Sequence, residues 1–301
     1  MAVPTFFFIS GFLFYQKLEK WEWGVWGAKM KSRINTLIVP YLIWNILAFV
    51  ICTLLAIKTF VPKVWMDAFH NAGGLNLLWA TTGSNSPYDF PLWFIRDLIV
   101  AVCLSPLLWW LLKYGRLVIV FIVFTLYIFK IFPFSDSLSG LSIPFFIFGG
   151  YASSHEFIFI RRLWIRFILY LLWISLMSAV LFCYGINGVL AEYTTRLLTI
   201  VSVFVAFDIA ARVQNPRCTE FLSSVSDSSF FIFALHTVVV RDISIRITKL
   251  AIPVNNHLSA TSAYFISSLL TLAICWLLYW ILRHNIPAVH NMLNGKIKYI
   301  K

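Results

Sequence analysis

Charge is what this 301-residue chain has least of. Only 12% of its residues are Asp, Glu, Lys or Arg, and just 12 of them are acidic. A soluble chain of this length needs far more charge to cover its surface, so a water-soluble globular domain is excluded. Cysteine is sparse and unpatterned. Cys52, Cys103, Cys183, Cys218 and Cys275 show no C-x-x-C spacing, which argues against a disulfide framework or a zinc site, and they read as small buried residues. The six histidines have no metal-ligand spacing, and no metal is expected. His70, His155, His257, His284 and His290 fall in connections or the tail and read as solvated. There is no internal repeat, no low-complexity tract and no alternating ten-residue pattern of the kind a β-barrel shows.

What remains is apolar. Hydrophobic residues make up 60% of the chain and aromatic residues 18%. The apolar runs are long and unbroken, as expected of an all-α, polytopic helical membrane protein. Nine segments stand out, at about 2–15, 36–57, 92–112, 117–133, 141–153, 164–184, 194–212, 227–241 and 262–282. Helix breakers and polar clusters separate them, and the longest polar connection is 58–91. The chain therefore reads as one integral-membrane domain over 1–301 that ends in a basic tail, 283–301. The first segment is short for a span. At about 1.5 Å per residue it covers about 21 Å, against a hydrocarbon core of ~30 Å. No positive region precedes it, so it does not read as a signal peptide.

The net charge of +12 comes from Lys and Arg at the ends of apolar runs, not from one stripe, so nucleic acid is not an expected partner. With the first segment running inward, Lys and Arg favour the cytoplasmic side by roughly two to one. Arg241, Arg246 and Lys249 are local exceptions. This orientation puts the carboxyl terminus in the cytoplasm.

Several local patterns carry more specific information. Val3-Pro4-Thr5-Phe6-Phe7-Phe8-Ile9-Ser10-Gly11 precedes a basic stretch, Lys29-Met30-Lys31-Ser32-Arg33. Leu37-Ile38-Val39-Pro40-Tyr41 opens the second segment and Pro91-Leu92-Trp93-Phe94-Ile95-Arg96-Asp97 the third. Pro144-Phe145-Phe146-Ile147-Phe148-Gly149-Gly150 and Phe230-Phe231-Ile232-Phe233-Ala234-Leu235-His236 follow. In this order, from residue 3 to about 282, they resemble the acyltransferase-3 family of bacterial inner-membrane O-acyltransferases. The resemblance implies transfer of an acyl group, usually acetyl, from cytoplasmic acyl-CoA to a hydroxyl of a cell-surface carbohydrate. It also implies ten helices in a complete member, with an Arg and a catalytic His on a first helix that would precede Met1. The competence of the chain would then depend on that helix.

Candidate site residues follow. Lys29, Lys31 and Arg33 stand where the family carries a basic motif, and clustered cations suit the phosphates of coenzyme A. Thr36 departs from that motif, standing where a second Arg would be expected. Plain anchoring of a helix end explains the same charges. Arg96 and Asp97 either form an ion pair or hydrogen-bonding group near the acceptor, or lie at the interface with Arg96 snorkelling out. His236 is either a general base for the hydroxyl or a hydrogen-bonded packing residue. Asp208 is either its partner or a structural pair. Asn45 is expected to bond across to another helix or to line the acyl-CoA entrance, and Gly149-Gly150 to let helices approach closely or to break a helix, a packing role either way. A non-enzymatic carrier or flippase for a glycan precursor is the rival function. It would require inverted repeats, and the sequence shows none. The acceptor's identity, the acyl length and the oligomeric state are not written in the sequence.

Overall fold

The computed structural model describes residues 2–16, 18, 20–56, 87–131, 140–154, 162–213 and 215–296. Every regular element among them is helical. The helices are α1 (Ala2–Tyr15), α2 (Trp23–Arg33), α3 (Val39–Ala56), α4 (Trp93–Cys103), α5 (Ser105–Ile128) and α6 (Ser142–Ser153). Then come α7 (Leu163–Tyr184), α8 (Gly188–Ala210), α9 (Pro216–Leu235), α10 (Arg241–Ala251), α11 (His257–Asn285) and α12 (Pro287–Leu293). Five helical stretches are long and apolar enough to cross a membrane: Trp23–Ile51, Ser105–Ile128, Leu163–Tyr184, Gly188–Ala210 and His257–Asn285. The other expected spans rest on shorter helices. The expected separation of 92–112 from 117–133 has a physical counterpart, because helical geometry breaks inside α5 at Arg116 (φ 45°, ψ −129°). The helix breaker Gly73-Gly74 and the polar cluster Ser135–Ser139, together with His70, His155 and Arg161, lie outside the described residues.

The chain forms two compact units. The first combines Met1–Trp26 with Asp97–Thr219. Its centre is the contact of α1 with α6. A Cβ placed on Gly149 would lie 1.9 Å from the Phe8 carbonyl oxygen, and one on Gly11 would lie 2.0 Å from that of Phe146. Glycine is thus required on both helices where the backbones touch. The close approach brings the two Phe-rich motifs together. Phe8 meets Phe148 and Phe207, each at 5.0 Å between ring centres, and Phe148 meets Phe204 at 5.1 Å. In lipid these contacts, not the hydrophobic effect, hold helices together. The α7–α8 hairpin closes through Asn187, whose side chain accepts from the amides of Val189 and Leu190. Trp173 Nε1 donates to Ser202 Oγ across the pair at 2.9 Å. Of the described cysteines, Cys183 and Cys275 are buried as expected, while Cys103 and Cys218 are exposed.

The second unit combines Gly27–Arg96 with Glu220–Lys301. Helix α2 runs into α3 through a π turn, Ile34–Ile38, in which the Val39 amide donates to the Ile34 carbonyl. The wider turn stands immediately before Pro40, a residue that has no amide hydrogen to offer the helix. A second π turn, His236–Val240, joins α9 to α10 and packs on α3. Arg241, Arg246 and Lys249, the exceptions to the charge bias, lie exposed on α10, whose Ser244 and Thr248 are buried. Such a two-faced helix suits an interface and not a span.

The basic tail is not simply solvated. Helix α12 folds back onto α3, where Trp44 Nε1 donates to the Leu293 carbonyl at 3.0 Å. Gly295 takes a positive φ of 66° with Pro40 and Thr36 within 3.0 Å of where its Cβ would be, so the close approach and the left-handed turn both require glycine. His290, expected in solvent, is 5% exposed with its ring 5.0 Å from Tyr279. Burial and the nearby Lys296 and Arg283 lower its pKa, against the bond to Asn291 and the charge of Asp227. The solvated reading fails because the tail supplies the acceptor that the buried Trp44 indole needs.

Candidate functional site around His236 and Asp89

The π turn at His236 sets the chemistry of its ring. Nδ1 lies 2.6 Å from the Phe233 carbonyl oxygen. A carbonyl only accepts, so the ring proton is on Nδ1, and the lone pair of the neutral imidazole is on Nε2. The ring is half-buried, 5.7 Å from that of Phe233, which in turn meets Phe94 edge-on at 4.9 Å. The sequence reading left His236 between base and packing residue. The geometry gives a fixed tautomer with its basic nitrogen uncommitted among the described residues.

One residue further, Thr237 Oγ1 donates to Asp89 Oδ1 at 3.1 Å. Asp89 is 1% exposed, and its amide donates to Asn45 Oδ1 at 3.1 Å. Asn45 Nδ2 donates back to the Tyr41 carbonyl at 2.7 Å. Asn45 therefore pins the segment leading into α4, and not a neighbouring helix as expected. Asp89 Oδ2 has no hydrogen-bond partner among the described residues. Burial pushes the Asp89 pKa up to about 8, against the Thr237 bond, which lowers it. The sequence reading missed Asp89. The signal was an acid between two aromatic residues, Tyr88 and Phe90, themselves between Pro87 and Pro91.

A carboxyl whose folded pKa lies above the unfolded value of 3.8 favours the folded state most below that value. This stabilisation is lost as pH rises from 3.8 towards 8 and is absent above. Asp89→Asn keeps an oxygen for Thr237 and removes the titration. Thermal melting of the protein in lipid nanodiscs from pH 4 to pH 9 is expected to show a decline with pH that is shallower in the variant. Parallel profiles would contradict the assignment.

Arg96 and Asp97 are 1% and 3% exposed, which excludes an interfacial, snorkelling Arg96. They are sequence neighbours on α4, both withdrawn from solvent, so each charge must be met inside the protein. The basic cluster also divides. Lys29 and Arg33, half-buried, share one face of α2, whereas Lys31 is exposed on another. Arg33 precedes Asn45 by about 18 Å along the helix axis. Asp208 is fully buried, with Oδ1 2.7 Å from Arg212 and Oδ2 accepting from Tyr170 at 3.0 Å. Both oxygens are engaged within its own unit, so the structural reading of Asp208 replaces its suggested partnership with His236.

Residues 1–280 match a family described as an acyltransferase domain. The succinoglycan biosynthesis protein ExoH of Rhizobium meliloti (strain 1021) is 28% identical over 245 residues, which is 78% of this chain and 64% of that protein. The chain thus spans somewhat less than two thirds of that relative's length. No solved structure matches. Because the family match covers nearly the whole chain, this polytopic helical protein belongs to the acyltransferase-3 family.

Proposed function

We propose that the protein is a bacterial inner-membrane O-acyltransferase that moves an acyl group, acetyl by the family's habit, from cytoplasmic acyl-CoA to a carbohydrate hydroxyl. The observation that carries this reading is the fixed His236 tautomer, with Nε2 available as a base. In the proposed step Nε2 takes the hydroxyl proton as the oxygen attacks the thioester carbonyl. The C–S bond then breaks, and the imidazolium returns the proton to the leaving thiolate. Lys29 and Arg33, on one face of α2, would hold the phosphates of the donor, with Lys31 contributing charge from beside them. Arg96 and Asp97 would serve the acceptor end, where a buried guanidinium can stabilise a developing oxyanion. A relative named for succinoglycan biosynthesis supports a glycan acceptor. The same reading places the carboxyl terminus in the cytoplasm and the chain among membrane lipid.

The test supplies radiolabelled acetyl-CoA to membranes that contain the full chain and extracted surface polysaccharide. Alkali-labile label in the glycan fraction is the expected result. Arg33→Ala should cut it at least about tenfold, with the protein still in the membrane, because one phosphate contact is lost. Absence of label with every glycan fraction would support the carrier reading and overturn this one.

A further inference from the structure

The first unit carries a groove of about 640 Å³ where α7 begins and α8 ends, and the acyl-transfer reading uses none of it. Its walls are Leu163, Trp164, Phe167 and Tyr170, with two cations, Arg166 and Arg212. Leu163, Trp164 and Phe167 are exposed, although they open a helix long and apolar enough to cross a membrane. In a bilayer such side chains meet lipid, and a tryptophan at the start of a span marks the level of the headgroups. The groove therefore lies where a phospholipid already stands.

The charges decide which phospholipid that is. Asp208, fully buried, bonds to two of the walls, Tyr170 and Arg212. Arg212 spends Nε on the Asp208 carbonyl and Nη2 on its carboxylate, while Nη1 donates to no described residue. Arg166 stands one turn into α7, and among the described residues it has no acidic partner. Its Nε is withdrawn from water and has no hydrogen-bond partner there either. An arginine that only anchored a helix end would snorkel and keep that N–H in water. Two guanidiniums against one carboxylate leave one positive charge unanswered, and a phosphodiester carries one negative charge.

We propose that this groove holds an anionic phospholipid. The guanidinium of Arg166 and the open Nη1 of Arg212 take the phosphate oxygens, as forked donors suit them. Leu163 and Phe167 receive the start of an acyl chain, and Trp164 packs between chain and headgroup. A basic pocket between the ends of two spans is the setting in which anionic headgroups are selected from the bulk lipid. The proposal goes beyond acyl transfer and shares no residue with it.

The experiment places the full chain in nanodiscs made of equal parts phosphatidylcholine and phosphatidylglycerol. Lipid retained in native mass spectrometry is the readout, and melting temperature in phosphatidylcholine alone reports folding. The wild type should retain phosphatidylglycerol in preference to phosphatidylcholine. Arg166→Gln should reduce that preference about tenfold, the worth of one hydrogen bond to a charged group. Its melting temperature in phosphatidylcholine should not fall, because the charge removed has no protein partner. Leu163→Glu sets a negative charge on the exposed rim without touching the core, and should reduce the preference as well. Arg212 is left in place because it also answers Asp208. Arg217→Gln removes an exposed charge outside the groove, and should leave the preference as it is. The proposal is overturned if the wild type shows no preference, or if Arg166→Gln and Leu163→Glu both keep it. It is equally overturned if Arg217→Gln lowers the preference as much as Arg166→Gln does, since bulk attraction to the surface would then explain it. A saturable melting shift with inorganic phosphate alone would make this an anion site and sink the lipid assignment.

Discussion

Gly149→Ala is expected to leave little folded protein in the membrane. The added Cβ would sit 1.9 Å from the Phe8 carbonyl oxygen and 2.7 Å from the Phe12 nitrogen. Both are backbone atoms, so no side chain can swing aside. The helices must part, and Gly11 against Phe146 parts with them because that contact is reciprocal. Separation opens the ring contacts of Phe8 with Phe148 and of Phe14 with Phe146, at 5.0 and 5.9 Å. Lipid fills the gap without a hydrophobic penalty, but dispersion and fit are lost. Overpacking ordinarily costs about 1–3 kcal/mol, and a backbone-to-backbone clash belongs at or above the top of that range. Against a stability of about 5–15 kcal/mol such a loss is severe. The check is the yield of monodisperse protein and its melting temperature beside Gly24→Ala, where nothing lies within 4 Å of the added carbon. Equal behaviour of the two variants would refute the claim that α1 and α6 meet backbone to backbone.

Half of that contact is legible in the sequence, because a tandem glycine inside a Phe-rich helix marks a close approach or a break. Its counterpart Gly11 is not, since nothing local pairs residues 138 positions apart. The boundary at residues 113–116 was legible for a similar reason, since Lys113, Gly115 and Arg116 interrupt an apolar run and the helix does break there. What could not be read depends on partners far apart in the chain. Asp89 gains meaning only when Thr237 and Asn45 meet it, 148 and 44 residues away. His290 looks like a solvated tail residue until Trp44, 249 residues before Leu293, draws that tail in. The π turns are equally silent in composition, because five residues of helix look alike whether they close over four residues or five. Asp208 stands open in the sequence between a partner of His236 and a structural pair, and a local contact decides. Its partner Arg212 stands one helical turn away in the sequence, and the nearer pairing was the right one.

Changing His236 to alanine is expected to lower acyl transfer by about 10²–10⁴-fold, the usual contribution of a positioned general base. The argument rests on which nitrogen is free. The Phe233 carbonyl holds the Nδ1 proton at 2.6 Å, so the ring presents Nε2 without a tautomer change before each turnover. Thr237 and Asp89 hold the next residue of the π turn, and α3 lies against the turn. The proposed base is therefore carried on a rigid element, as proton transfer requires. Removing the imidazole opens space in a half-buried position and should cost little stability, so melting temperature and membrane content should stay near the wild type. His236→Asn is the informative companion. Its amide can reach a nearby carbonyl as Nδ1 does, but it supplies no basic nitrogen, so it should be as inactive as alanine. A packing role predicts the reverse: asparagine would restore transfer and alanine would lower melting temperature and transfer together. Initial rates of label transfer from acetyl-CoA, normalised to protein in the membrane, distinguish the two. Transfer within threefold of the wild type in both variants would remove His236 from the chemistry and send the search for the base elsewhere in the protein.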